Sequence, residues 1–202
     1  IDDTGKTGGG RLDVTLTQPF IPKPLNDDIH IADSARDWDP LSQGNNGWQY
    51  GFFANADNTN FTPFTGQTTE PTFDIGGDGA VWLNGTSNPR IGQFATFPTA
   101  TTVWRWTSTY EGEVELAWNT RRLDSGGDGQ LVILHKNGVE LIKYHMFDGR
   151  DHYVGKVFTS VEVGDLIDLA IDKNENSTGD WLYVRNSVSR RIRAQESTAP
   201  LI

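Results

Sequence analysis

The apolar residues of this chain fall into short runs, and Gly, Asn, Asp or Pro separates each run from the next. No segment repeats apolar residues at a helical period of 3.6 over ten positions or more. Short runs at intervals of roughly 8–14 residues, with turn residues between them, are typical of antiparallel sandwiches and barrels. The sequence therefore predicts an all-β fold, an antiparallel β-sandwich of jelly-roll-like form. The clearest runs are GWQYGFFA, AVWLNGT, TVWRWTS, EVELAWN, QLVILHK, VELIKYHM, HYVGKVFTSVEV, DLIDLAID and DWLYVRNSV.

One pair of runs carries a clear hairpin signal. Asn137-Gly138 separates QLVILHK from VELIKYHM, and Asn-Gly accepts the positive φ angles of a type I′ turn. A two-residue turn at this point sets Leu134 opposite Leu141. Because both faces of these strands carry apolar residues, we expect the hairpin to lie centrally and to be covered on both sides. A second turn is predicted at Gly164-Asp165.

The two ends of the chain differ from its middle in amino-acid composition. Residues 1–28 are polar and Gly-rich at first and then place three prolines within six residues, which bars a central strand. We expect an arm or linker over 1–28, a sandwich module over 29–194 and a tail over 195–202. The chain starts at Ile1 without a signal peptide, which favours a processed protein or an excised module.

The charge and the composition exclude several classes of partner. The net charge is −10, and no run of Lys and Arg is long enough to follow phosphates, so nucleic acid and membrane partners are not expected. Cysteine is absent, which excludes disulfides, thiolate zinc sites and a Cys nucleophile. An acidic chain suits a protein outside the cell, whose loop carboxylates can hold Ca²⁺.

Several of these segments, taken in order, form a pattern. GWQYGFF is followed by VWRWTSTYEGEVELAW, GGDGQLVILHKNGVEL and VEVGDLIDLAID, and then by an acidic residue in the closing loop, Asp180. This order resembles the β-sandwich accessory modules of large secreted bacterial proteins that degrade polysaccharides or lie on the cell surface. The resemblance implies a secreted, jelly-roll-like module of carbohydrate-binding type. It supplies no set of ligand residues.

The segment YHMFDGRDHY, residues 144–153, concentrates reactive side chains. If Asp148-Gly149 is a two-residue turn, the flanking residues form a hairpin that sets His145, Phe147, Arg150 and His152 on one face. Such a face could contact a sugar through His145, Arg150 and His152. In an enzyme, His145, His152 or Tyr153 would act as base and Arg150 would stabilise the developing charge. A solvent-exposed hairpin with satisfied polar groups is the alternative.

A second catalytic pattern is weaker. Glu113 and Glu115 alternate with Val114 and Leu116, so the two carboxylates share one strand face. A glycosidase needs a pair of carboxylates, but this alternation is also that of an ordinary strand with one side in solvent. We expect the solvent-facing strand.

Aromatic side chains with an exposed face bind sugars, because the apolar face of a sugar ring stacks on them. Trp48, Tyr50, Trp104, Trp106 and Trp118 lie in phase with apolar neighbours and are expected in the core. Trp38, Trp82 and Trp181 border loops and are the exposed candidates for ligand binding. Arg121 and Arg122, just after a strand, would add hydrogen bonds.

Two loops offer oxygen ligands suited to Ca²⁺. The loop DKNENSTGD supplies Asp172, Asn174, Asn176 and Asp180, and DSGGDG supplies Asp124 and Asp128. Neither matches an EF-hand. We expect a structural Ca²⁺ where the loops cluster at one end of the sandwich, with simple turn formation by these residues as the alternative.

The function that best fits these features is non-catalytic binding of a polysaccharide, with a neutral or mildly acidic ligand. A small polysaccharide lyase or glycoside hydrolase and a structural or adhesion domain of a surface protein remain the two alternatives from sequence alone.

Overall fold

A computed structural model describes residues 30–54, 59–69, 80–84, 87–93, 95–123, 128–147, 152–175 and 181–191. The predicted arm, 1–28, and tail, 195–202, lie outside these ranges, so the predicted domain boundaries stay a prediction. The described residues contain no α-helix, and within them no helix is long and apolar enough to cross a membrane.

Fourteen strands of the described residues form two antiparallel sheets that pack face to face, which confirms the predicted β-sandwich. The larger sheet has the order β12-β9-β14-β7-β6-β5-β4, with β1 also paired to β14. The smaller sheet has the order β11-β10-β13-β8-β2-β3. The strands are β1 (His30–Asp33), β2 (Trp48–Phe53), β3 (Thr62–Pro63), β4 (Gly66–Thr69), β5 (Ala80–Asn84), β6 (Ser87–Gly92), β7 (Ala95–Phe97), β8 (Thr101–Thr107), β9 (Gly112–Arg122), β10 (Gln130–Lys136), β11 (Val139–Met146), β12 (His152–Val161), β13 (Leu166–Asp172) and β14 (Leu182–Arg190).

The core between the sheets is built from the alternating residues that the sequence indicated. Trp104 and Trp106 point inward from β8 and are fully buried, while Arg105 between them points to the outside of the smaller sheet. The other core aromatics, Trp48, Tyr50 and Trp118, are also buried, as predicted. On β9, Val114 and Leu116 are buried and Glu113 and Glu115 face outward, which is the solvent-facing strand expected there.

The Asn-Gly hairpin forms, but its register and position differ from the prediction. Asn137 and Gly138 have φ angles of 51° and 78°, as a type I′ turn requires. An irregularity after Leu134 moves the register by one residue, so Leu134 pairs with Ile142. β10 lies between two strands, but β11 is an edge strand with much of its surface in solvent, so the hairpin is not covered on both sides.

The predicted hairpin over residues 144–153 is wrong. β11, which ends at Met146, belongs to the smaller sheet, whereas β12, which begins at His152, belongs to the larger one. The chain crosses from one sheet to the other here. Tyr144 and Tyr153 do meet, with ring centroids 4.1 Å apart, but they meet between the sheets and not as a strand pair.

The outer side of the smaller sheet carries a second apolar layer. Phe53, Val103, Ile133 and Ala170 are buried there, and Phe61 packs over them. Within this layer Arg105 makes two parallel hydrogen bonds to Asp168, Nε–Oδ1 at 2.7 Å and Nη2–Oδ2 at 2.8 Å.

Candidate functional site

Most of the predicted site residues lie at one end of the sandwich. Strands β9, β11 and β13 end there and β10, β12 and β14 begin there, because antiparallel neighbours bring alternate strand ends together. We call this region the loop end. It holds Arg121, Arg122, Asp128, His145, Phe147, His152, Tyr153, Asp172, Asn174 and Trp181.

On the outer face of the larger sheet, three strands place polar and aromatic residues side by side. Arg121 on β9 is in register with His152 on β12 and with Tyr183 on β14. Two residues earlier on β9, Asn119 forms the next cross-strand row that faces outward, with Val154 on β12 and Arg185 on β14. The intervening residues Thr120 and Val184 are buried, so these side chains alternate to the outside.

We call this surface the three-strand face; it comprises Asn119, Arg121, His152, Trp181 and Tyr183. The His152 Nε2 atom lies 2.8 Å from Asn119 Oδ1, so the imidazole and the amide hold each other in place. Trp181 is half-buried and packs, together with Leu123, on an apolar cluster of the same sheet. Arg121 is exposed. The face thus offers two aromatic rings beside a guanidinium, an imidazole and an amide.

Arg122 points the other way and has a different role from the one predicted. Its side chain is buried, and Nη1 donates a 2.9 Å hydrogen bond to the carbonyl oxygen of Phe147. This bond ties the end of β9 in the larger sheet to the end of β11 in the smaller sheet. Arg122 therefore holds the loop end together and does not present its guanidinium to a ligand.

An aromatic stack closes the side of the sandwich between β11 and β12. Tyr153 lies against Tyr144, and its ring is stacked on Trp118 with centroids 6.4 Å apart. The Tyr144 hydroxyl is 2.8 Å from Thr120 Oγ1 and accepts a 3.2 Å hydrogen bond from Trp118 Nε1. Burial raises the pKa of Tyr144 well above its ordinary value, so this hydroxyl stays protonated.

The predicted catalytic set is not assembled on one face. His145 lies on the outer side of β11, where its ring packs on that of Phe147 with the two centroids 3.7 Å apart. His152 lies on the outer side of the other sheet. Because Tyr144 and Tyr153 both point inward and touch, their neighbours His145 and His152 point to opposite sides of the sandwich. Arg150 lies outside the described residues.

The two loops predicted to hold Ca²⁺ do meet. Asn174 donates from its side-chain amide to Asp128 Oδ2 at 3.1 Å and from its backbone to Asp172 Oδ1 at 2.8 Å. Asp172 also accepts a hydrogen bond from Thr101. Within the described ranges no group of three or more His, Cys, Asp or Glu side chains converges on one point. The other predicted ligands, Asp124, Asn176 and Asp180, lie outside those ranges.

The prediction that Trp38 and Trp82 are exposed is wrong. They are only 8% and 7% exposed, and both belong to the core. Trp38 packs on Tyr50 with centroids 4.7 Å apart, and Trp82 Nε1 donates to the carbonyl of Asp39. Both tryptophans are covered with the help of the segment between β1 and β2, which contains Trp38 and whose Asp39 accepts the hydrogen bond from Trp82.

Two residues of the three-strand face, Asn119 and Tyr183, were missed by the reasoning from sequence. The alternation in β9 does place Asn119 on the same side as Arg121. It does not show that β12 and β14 flank β9, and only that adjacency brings Tyr183 beside Arg121.

No protein-family model and no curated protein matches this chain. Solved structures do resemble it. The CBM51 of Clostridium perfringens GH95 in complex with methyl-galactose is 9% identical, with a TM-score of 0.39 over 63% of this chain and 94% of that one. The carbohydrate-binding module CBM6cm-2 of Cellvibrio mixtus lichenase 5A in complex with cellotriose is 10% identical, with a TM-score of 0.32 over 81% and 100%.

A third structure, the GH26-CBM35 β-(1,4)-mannanase of Podospora anserina, is 13% identical, with a TM-score of 0.38 over 74% of this chain and 29% of that one. Carbohydrate-binding modules are thus among the solved structures that this chain resembles, as the sequence pattern implied.

Proposed function

We propose that this chain is a non-catalytic module that binds a polysaccharide on the three-strand face. The observation that carries the proposal is the register that sets Arg121 between His152 and Tyr183. Sugars are bound by an aromatic ring under their apolar face together with planar polar groups at their hydroxyls. The row of Arg121, His152 and Tyr183 supplies both on the outer side of one sheet, where neighbouring strands could contact successive sugars of a chain.

The geometry supports binding more than catalysis. A glycosidase or lyase holds its acid and base across a single bond, within about 5–10 Å of each other. His145 and His152 belong to different sheets and point to opposite sides of the sandwich. As part of this proposal we also place the module outside the cell, because extended polysaccharides occur there. A net charge of −10 suits a soluble secreted protein.

Replacing Tyr183 by alanine is expected to weaken glycan binding by roughly fivefold or more, because a stacked ring contributes about 1–3 kcal/mol. Affinity electrophoresis and calorimetry on a panel of neutral and acidic polysaccharides would measure this. The matched control is Phe147→Ala, which removes another aromatic ring, 70% exposed, at the loop end but off the three-strand face. Loss of binding in Phe147→Ala but not in Tyr183→Ala would move the site away from this face.

The same panel separates binding from hydrolysis or elimination. For each polysaccharide that the protein binds, the amounts of reducing ends and of unsaturated products are expected to stay at the background level. Product formation that disappears in His145→Ala or His152→Ala would contradict a non-catalytic role. Retention of no polysaccharide at all would contradict the proposed function and favour a structural role.

A structural Ca²⁺ at the loop end is a second proposal. Asp128, Asp172 and Asn174 bring two carboxylates and one amide together, which are the oxygen donors that Ca²⁺ prefers. They are fewer than the six to eight oxygens that Ca²⁺ takes, and Asp172 already accepts two hydrogen bonds from the chain. The proposal therefore depends on the three predicted ligands outside the described ranges.

Adding Ca²⁺ to chelator-treated protein is expected to raise the melting temperature, because a ligand bound only by the folded state stabilises that state. At about one hundred times the dissociation constant the gain is roughly 2.7 kcal/mol. Differential scanning calorimetry with CaCl₂ and EGTA measures it, and Asp128→Asn should abolish the response. A melting temperature that is equal in CaCl₂ and EGTA would refute the calcium site, and Mg²⁺ serves as the control cation.

A further inference from the structure

The cations of the three-strand face and of the sheet surface around it are not equivalent. Lys156 lies 3.3 Å from Glu115, Arg185 lies 2.9 Å from Asp33, and Arg191 lies 3.8 Å from Glu113. Each of these three positive charges is therefore balanced by a carboxylate of the protein itself. Arg121 on β9 can be compared with these three paired cations.

Arg121 differs from these three. Its guanidinium is exposed, and no hydrogen bond or ion pair joins it to another residue of the described ranges. The chain carries 27 acidic and 17 basic side chains, so it has more than enough carboxylates to pair with every arginine and lysine. At this position the register instead supplies His152 on one side and Tyr183 on the other, neither of which is an anion that could balance it.

The surroundings of Arg121 favour an external anion at this point. The next outward row contains Asn119, Val154 and Arg185, of which only Arg185 is charged, and its charge is balanced by Asp33. The nearest carboxylate on the outer face of β9 is Glu115, six residues away, or about 20 Å along a strand. That separation exceeds the Debye length of about 8 Å at physiological ionic strength, so the negative charge of Glu115 does little to neutralise the positive charge of Arg121.

We propose that the polysaccharide bound on the three-strand face carries carboxylate groups, and that Arg121 pairs with one of them while the Tyr183 ring lies under the sugar. A planar guanidinium forms two parallel hydrogen bonds with a carboxylate, which a neutral hydroxyl cannot accept in the same geometry. The ligand class is therefore a polymer that contains uronic acid. This inference rests on the proposed function, because it names the ligand of the same face.

The test uses uronate polysaccharides, among them polygalacturonate and alginate, each beside its carboxyl-reduced form, in which the same backbone is neutral. The expected result is binding to at least one acidic polymer, with a loss of tenfold or more on carboxyl reduction. Arg121→Gln should weaken binding to the acidic form by about tenfold or more, since a charge-assisted pair is worth roughly 1.5–3 kcal/mol. The control Lys143→Gln makes the same change of charge on the edge strand of the smaller sheet and should leave binding unchanged.

The other outcomes separate this inference from the proposed function. Equal binding to the acidic and the carboxyl-reduced polymers would overturn the inference and leave carbohydrate binding intact. Binding to dextran sulfate but to none of the uronate polymers would overturn the assignment to carboxylate. Binding to none of these polymers or of a neutral panel would overturn the proposed function itself. Circular dichroism of Arg121→Gln establishes that the variant is folded, as its exposed side chain predicts.

Discussion

Replacing Asp168 by alanine is expected to destabilise the module by about 3–5 kcal/mol, because the change leaves a largely buried guanidinium without its counter-charge. Asp168 is only 1% exposed, and both of its oxygens accept hydrogen bonds from Arg105. Phe61 covers the other side of that guanidinium, with its ring centroid 4.2 Å from Arg105 Cζ. Water therefore has little access to replace the lost carboxylate, and the cost of the buried charge falls on the folded state.

Urea unfolding followed by circular dichroism measures this cost as a lower midpoint with an unchanged slope. The double variant Arg105→Leu/Asp168→Leu is the informative comparison. It removes both charges from the apolar layer on the outer side of the smaller sheet, so its stability should lie close to that of the parent. A cost below about 1 kcal/mol for Asp168→Ala would show that the pair is solvated and that this layer does not exclude water.

Replacing Gly155 by alanine is expected to cost about 2–3 kcal/mol, at the upper end of the range for overpacking. Gly155 lies on the edge strand β12 directly opposite Trp118 in the larger sheet. A Cβ atom at Gly155 would overlap Cζ2 and Cε2 of the Trp118 ring. The ring is held by the hydrogen bond from Nε1 to Tyr144 and by the stacked Tyr153, so it cannot move aside without loss of these contacts.

Thermal unfolding of four proteins decides this prediction: the parent, Gly155→Ala, Trp118→Phe and the double variant. Phenylalanine lacks the benzene half of the indole that occupies the space over Gly155, so the alanine should cost less than 1 kcal/mol in the Trp118→Phe background. That difference is the coupling energy of the pair. An equal cost in both backgrounds would show that the glycine is needed for a reason other than room for the ring.

Much of the fold follows from local sequence because the signals that predict it are local. The side-chain period of two in TVWRWTS fixes Trp104 and Trp106 on the core side and Arg105 on the other, as the structure shows. Asn137-Gly138 predicts its own turn, because few other residue pairs accept positive φ at both positions. The register across that turn was missed by one residue, since the irregularity after Leu134 leaves no mark in the composition.

Sheet membership could not be predicted in the same way. Asp148-Gly149 has the composition of a hairpin turn, yet the strands on either side pair with β10 and β9, whose contacts are fixed far from the turn. The candidate site shows the same limit. Arg121, His152 and Trp181 were each predicted one by one as ligand residues, but their placement on one face depends on the adjacency of β12, β9 and β14, which joins distant parts of the chain.

The pairing of β1 with β14 determines how this module could be attached to other polypeptide. His30 on the first described strand is the direct partner of Ser189 near the end of the last one, and Asp33 is bound to Arg185 across the same pair. The backbone thus enters and leaves the described fold at neighbouring points, roughly 5 Å apart as cross-strand partners are. A sandwich with this geometry can be inserted as a side branch into a surface loop of a host domain without forcing the two halves of that loop apart.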